Sequence, residues 1–382
     1  MPKSRNAPQK SQAGTKRTVA QRGADEEDRI EEADEEALYT KGNARGEVCY
    51  DISKGNLDGD KEEHMPPKGA TTLRLVNPKA VPTMPAIMNL SSSSAAGSSS
   101  RVKGITKVVV DESCRACTSV GDNFLLQCEK LETVDLTALS NCTIVGNGFL
   151  GSDDIFVSRC NALQSVDLTP LSNCTSVGSK FLSGCKRVVV ANLAPLQKCT
   201  SVGDSFLHGC LSIVALDLAP LSNCLSVGDS FLEDCLGIAS VDLAPLRNCT
   251  SVGNNFLACC RALVSIELTP LSSCISVGDG FLHGCSLLET VDLSPLSKCT
   301  SVGDYLLSHC RSLTSVQLPP LTSVGKGFLQ SCSILPSVDL TPLSNCTSVG
   351  DDFLSECFAI KSLQLEPLSN CTIVGNNFLR YC

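Results

Sequence analysis

Cysteine and histidine are the residues of this 382-residue chain whose chemistry has to be weighed first: there are 24 of the former and four of the latter. Cys114-Arg-Ala-Cys117 has the spacing of a redox dithiol, a motif that works at a helix start inside a βαβ unit. Cys117 instead heads a series that continues through Cys142, Cys174, Cys199, Cys224, Cys249, Cys274 and Cys299, mostly 25 residues apart. A second series runs from Cys128 and Cys160 through Cys185, Cys210, Cys235 and Cys260 to Cys382. Each series predicts a buried column in which the thiol acts as a small hydrophobe. Zinc needs ligands converging on one point. His208, His283 and His309 lie near cysteines of different repeats and His64 lies apart, so no closed set is read and neither metal nor cofactor is expected. No GxGxxG, P-loop or GxSxG stands in its working context. No catalytic residue is expected, and the chain reads as a non-enzyme.

Acids form a third series. Asp135, Asp167, Asp217, Asp242, Glu267, Asp292 and Asp339 share one outward strand position, interrupted by Asn192, Gln317 and Gln364. Carboxylates ~5 Å apart in water repel by about 0.8 kcal/mol per pair before salt screening. Such a ladder keeps sheets apart, and it is also the candidate surface for a basic protein partner. Asn-Cys-Thr triplets at Asn141, Asn173, Asn248, Asn345 and Asn370 have the glycosylation spacing. An asparagine repeated at a turn is read here as an amide ladder that satisfies turn groups.

The elements that position these series come from a repeat. Gly178, Gly203, Gly228, Gly253, Gly278 and Gly303 are 25 apart, as are Gly325, Gly350 and Gly375. Such a period signals a solenoid whose units bury their apolar faces by stacking. Within residues 236–260, Val241 and Leu243 alternate with Ser240 and Asp242, which predicts a half-buried strand. Pro245 ends it. Leu246, Cys249 and Val252 then point inward from an irregular run. Gly253 predicts either a positive φ or a close backbone approach. Asn254 is expected to cap a short helical turn carrying Phe256, Leu257 and Cys260 on one face. The unit from Gly146 to Gly178 is seven residues long in excess, an insertion placed at about 151–157 with Phe156 projecting. The unit ending at Gly325 is three short, which predicts a local pinch.

The pattern CxxLxxVxLxPLxxCxxVGxxFLxxC resembles the BspA-like (Treponema-type) leucine-rich repeat, in the flavour PLSNCTSVGxxFL associated with kinetoplastid protists. The resemblance covers about residues 105–382. It implies an α/β repeat solenoid, a right-handed superhelix with a parallel sheet and short helical turns, used for protein–protein contact or adhesion, often at cell surfaces. It implies no catalytic residues.

Residues 1–104 read as a separate, disordered arm: a basic start, the acidic block 24–37, a proline-broken apolar clause and the serine run 91–100. Residues 105–382 then hold about eleven units, the first of them a degenerate cap. Forty acids against 31 Lys and Arg give a net charge of −9, which excludes non-specific nucleic-acid binding. The first residues lack an apolar signal core and no run reaches the ~20 residues of a membrane helix. A cytoplasmic, reducing address and no membrane insertion are therefore expected. The last unit ends without a polar cap, so either the molecule continues in the native product or something covers that end, self-association being one such cover. Together these readings give a non-catalytic protein–protein interaction scaffold, with a self-assembling structural or surface-adhesion protein as the alternative.

Overall fold

The computed structural model of the protein describes residues 39–41, 46–58, 67, 69–88, 104–151, 160–189 and 191–382. The acidic block, the serine run, His64 and the insertion with Phe156 lie outside the described residues. The described chain is a repeat solenoid of short parallel strands, and among those residues every helix is 3-10.

Stacking begins earlier than the boundary drawn at residue 104. Glu47–Asp51 pairs in parallel with Thr72–Val76, which pairs in parallel with Lys107–Val110 and so with Thr133–Asp135. Leu73 and Leu75 alternate inward and are buried with Tyr50, Ile52 and Ile87. The prolines of this clause fall between strands (Pro78, Pro82) or beside them (Pro85), where a missing N–H is harmless, so they punctuate rungs rather than abolish them. Tyr39–Lys41 adds an antiparallel strand on the outer edge of Glu47–Asp51. Residues 105–121 are thus an interior rung, and the disordered arm does not extend over 46–58 or 69–88.

Each later rung has three sides. On the first, among the described residues, the predicted Val-Asp-Leu strand pairs in register at Thr133–Asp135 and again where Thr290–Asp292 meets Ser315–Gln317, with one isolated bridge between Ser265 and Thr290. The strand then turns through a 3-10 helix such as Ala244–Asn248, with the fixed φ of Pro245 in its first turn. On the second side, two-residue strands form the most continuous ladder: Thr83–Met84, Ser119–Val120 and Ile144–Val145 lead to Ser276–Val277, eight strands in all. Thr250 N–H donates to Leu225 O at 3.0 Å and Gly253 N–H to Val227 O at 3.2 Å, and neighbouring rungs repeat this. The run read as irregular is therefore the best-paired strand.

The third side corrects the expected helical turn. Asn255, Leu257 and Cys259 have φ of 55°, 55° and 56°, alternating with right-handed neighbours, so no helix forms. The alternation sends successive amides both ways: Asn255 N–H reaches Asp279 O ahead (2.6 Å), and Leu257 N–H reaches Phe231 O behind (3.0 Å). A left-handed residue with a Cβ costs ~1–2 kcal/mol, a penalty offset by these inter-rung bonds and by burial. Phe124, Phe149, Phe181, Phe206, Phe231, Phe256 and Phe281 stack with centroids 5.2–5.7 Å apart. All seven are buried.

The metre glycine is explained by close approach. Gly253 is not left-handed; a Cβ there would lie 2.6 Å from Asp229 N and 2.6 Å from Gly228 C. Asn254 does not cap its own turn either. Its Oδ1 accepts from Asp279 N–H of the next rung at 2.8 Å, just as Asp229 Oδ1 accepts from Asn254 N–H at 2.7 Å. The short unit before Gly325 lacks the 3-10 helix that its neighbours carry. Three residues are one turn of that helix.

A seam lies just upstream of the short unit. The eight-stranded ladder ends at Ser276–Val277, and a separate four-stranded one begins at Ser301–Val302. Leu306 replaces phenylalanine there, so the ring stack stops at Phe281 and resumes at Phe328. On the turn side the rungs remain joined, by Gly280 N–H to Asp304 O (2.7 Å) and Leu307 N–H to Phe281 O (3.1 Å).

Candidate functional site

All seven acids of the strand ladder are exposed. Each uses one carboxylate oxygen to hold the turn that follows. Asp217, Asp242 and Asp292 accept from the backbone N–H two residues on, at 2.8 Å each. Asp167 and Asp339 do the same at 2.9 Å. Asp135 and Glu267 accept additionally from the hydroxyls of Thr137 and Thr269. Hydrogen bonds from the threonine side chain, then from its backbone N–H, hold Asp135, Asp167, Glu267 and Asp339 below the usual carboxylate range. Asn192 occupies the same position and makes the same bond to Ala194 N–H. The turn thus needs an acceptor, not a charge. The second oxygen of each acid has no Lys or Arg within ion-pair distance among the described residues.

The cysteine columns do more than fill space. All 24 thiols are free, and all but Cys49, Cys259, Cys371 and Cys382 are buried. Cys249 Sγ donates to Cys224 O (3.4 Å) and Cys274 Sγ to Cys249 O (3.3 Å). In the turn column, Cys260 Sγ donates to Leu232 O and Cys285 Sγ to Leu257 O, each at 3.2 Å. These four bonds each join a thiol to a carbonyl one rung behind, whereas Cys346 Sγ donates to Ser348 O of its own rung; cysteine thus supplies a small apolar body and one weak donor. Burial pushes Cys249 and Cys285 up to about 12. The nucleophilic thiolate is suppressed. Cys114 and Cys117 are buried in the same way, Cys114 Sγ donating to Leu75 O at 3.3 Å and Cys117 Sγ to Val81 O at 3.4 Å. The asparagine ladder forms as well: Asn248 Nδ2 donates to Ser222 O (3.1 Å) and Asn173 Nδ2 to Ser140 O (2.8 Å).

Chemical diversity is concentrated elsewhere, at the two positions between Phe-Leu and the turn cysteine. Successive rungs carry His208-Gly209, Glu233-Asp234, Ala258-Cys259, His283-Gly284 and Ser308-His309 there. Stacking brings His208 against the next rung: its Nε2 lies 3.7 Å from Asp234 Oδ2 and 4.0 Å from Glu233 Oε2. Two rungs on, the rings of His283 and His309 meet edge to face, 5.4 Å between centroids. They line a cleft of about 340 Å³ with Cys259, Arg261 and Arg311. Burial first, then His309, lowers the His283 pKa from its ordinary value. Sequence reading placed the histidines in separate repeats and stopped there. The signal it passed over is that a residue and its 25th successor are neighbours in a stack.

No helix among the described residues is long and apolar enough to cross a membrane. No protein of curated function matches the chain in sequence. A leucine-rich repeat protein from Bacteroides ovatus is similar in structure, with 19% identity over 90% of each chain and a TM-score of 0.48. The functional domain of InlJ from Listeria monocytogenes, which includes a cysteine ladder, is 18% identical over 70% of this chain and 59% of that one, TM-score 0.33. The leucine-rich repeat protein of T. pallidum is 14% identical over 67% and 78%, TM-score 0.32. Residues 152–287 and 250–382 match the BspA type leucine rich repeat region in six copies, together more than half of the chain. The protein belongs to the BspA type leucine-rich repeat family.

Proposed function

We propose that the protein is a non-catalytic interaction scaffold whose acidic strand ladder receives a basic protein partner. The observation that carries this reading is the division of labour within each acid. One oxygen is fixed by the turn, so the other is held in register from rung to rung, exposed and, among the described residues, without a Lys or Arg at ion-pair distance. A row of fixed like charges steers an opposite surface and strengthens its capture at low salt. Free, hydrogen-bonded thiols fit a reducing, cytoplasmic setting for that work.

The test replaces Asp217, Asp242 and Asp292 together by Asn, the residue that already serves at position 192. Binding of lysine-rich peptides of graded charge is measured against salt concentration, with an acidic peptide as control. The substituted protein should keep its melting temperature, bind the basic series more weakly and show a flatter salt dependence. Unchanged affinity with an unchanged salt slope refutes the ladder as a docking face.

A further inference from the structure

His208 is 8% exposed and its Nε2 is a buried atom with no hydrogen-bond partner. An imidazole nitrogen left in that condition is rare in a well-packed interior. Around it stand Glu233, 18% exposed at the side chain, and Asp234, 31% exposed, both from the following rung. One ligand atom from each of the three residues lies within 4.8 Å of the other two, and no other trio of His, Cys, Asp or Glu among the described residues does so. The geometry points to a binding site for a divalent transition cation, Zn²⁺ foremost, held by His208 Nε2 and one oxygen each of Glu233 and Asp234.

Bond lengths support this set. Metal–nitrogen and metal–oxygen bonds of ~2.1 Å put tetrahedral ligand atoms ~3.4 Å apart. The observed 3.7 and 4.0 Å separations close to that value by small rotations of the two carboxylates. The backbone on which they turn is fixed, since Gly209 N–H donates to Glu233 O (2.8 Å) and Asp234 N–H to Ala258 O (2.9 Å). Asp234 is held at φ 56° where the rung before it has Gly209. One imidazole with two carboxylates suits Zn²⁺, Co²⁺ or Mn²⁺ better than Mg²⁺ or Ca²⁺, which take oxygen sets. Solvent on the carboxylate side leaves room for water as the remaining ligand. Bound there, the cation ties two successive rungs across their turns.

The experiment uses the full chain, stripped with chelator under reductant and titrated with Co²⁺ as a spectroscopic probe, then with Zn²⁺ in competition. One Co²⁺ per chain is expected, with weak visible bands and without the strong near-ultraviolet band of thiolate ligation. His208→Gln should weaken binding by more than about tenfold. Glu233→Gln with Asp234→Asn, which preserves shape and the left-handed backbone, should do the same and decides the matter if the histidine variant fails to fold. His283→Gln and Cys259→Ser should leave affinity unchanged. Equal binding by the double variant, a thiolate band, or no Co²⁺ bound by the parent protein overturns the site. The last result would leave His208 as a buried ring packed against two carboxylates without a metal.

Discussion

The turn-column thiols make this protein sensitive to alkali. Cys210, Cys235, Cys260, Cys285, Cys310 and Cys332 are buried, and desolvation raises all six far above an ordinary thiol, Cys210 and Cys285 up to about 12. In the unfolded chain the same groups ionise near pH ~8.5. Above that pH the unfolded state releases protons which the native state keeps, so stability is whole below pH ~8.5 and declines as the pH climbs toward about 12. At about pH 9.5 each such thiol removes about 1.4 kcal/mol, and the six together about 8 kcal/mol. That is comparable with the ~5–15 kcal/mol that holds a whole domain folded. The assay is urea denaturation at a series of pH values from about 7.5 to 10, followed by far-ultraviolet circular dichroism with a phosphine reductant present throughout. The midpoint should fall steeply above pH ~8.5, and Cys260→Ala with Cys285→Ala should make that fall shallower by about two protons. A midpoint level through pH 10, or a slope indifferent to the two substitutions, refutes the argument that these columns are buried neutral thiols.

Two further outcomes follow from the backbone. Gly253→Ala, with right-handed φ but a Cβ 2.6 Å from backbone atoms of the preceding rung, should cost about 3 kcal/mol. Gly209→Ala, at φ 68° and with nothing nearer than 3.7 Å, should cost only about 1 kcal/mol; the reverse order in denaturation midpoints would sink the close-approach account. Asp242→Asn should leave stability unchanged because an acceptor remains for Ala244 N–H, whereas Asp242→Ala should cost about 1 kcal/mol; thermal melts of the two side by side check this.

Much of the architecture was legible because the repeat reports its own register. Leu246, Cys249 and Val252 were readable as inward residues, and all three are buried. The strand at Ser251–Val252 escaped notice because two residues cannot display an alternation. The helical reading of Phe256, Leu257 and Cys260 failed for a different reason. Their spacing suits one face of a helix, but alternating left- and right-handed residues satisfy it equally, and nothing in the propensity of Leu257 announces a positive φ. Leu73 and Leu75 carried the strand pattern of an early rung, masked by prolines at 78, 82 and 85 that stand outside it. The thiol-to-carbonyl bonds, and the meeting of His208 with Glu233 and Asp234, are relations between rungs. A single unit read alone cannot contain them.

The seam between Ser276–Val277 and Ser301–Val302 bears on how the molecule comes apart. In a stacked array, stability is a sum of nearest-neighbour interfaces, and the weakest one sets where cooperativity ends. Here one interface has lost its two-residue strand pair and its ring contact while keeping its turn-side bonds, the Cys299 Sγ bond to Cys274 O and the Ser265–Thr290 bridge. The rungs on either side are therefore expected to behave as two foldons sharing a spine. Amides on the Ser301–Val302 edge should exchange with solvent through an opening that leaves each block intact. Sub-global unfolding should divide the array at this interface, and hydrogen exchange followed rung by rung would show one block opening while the other stays protected.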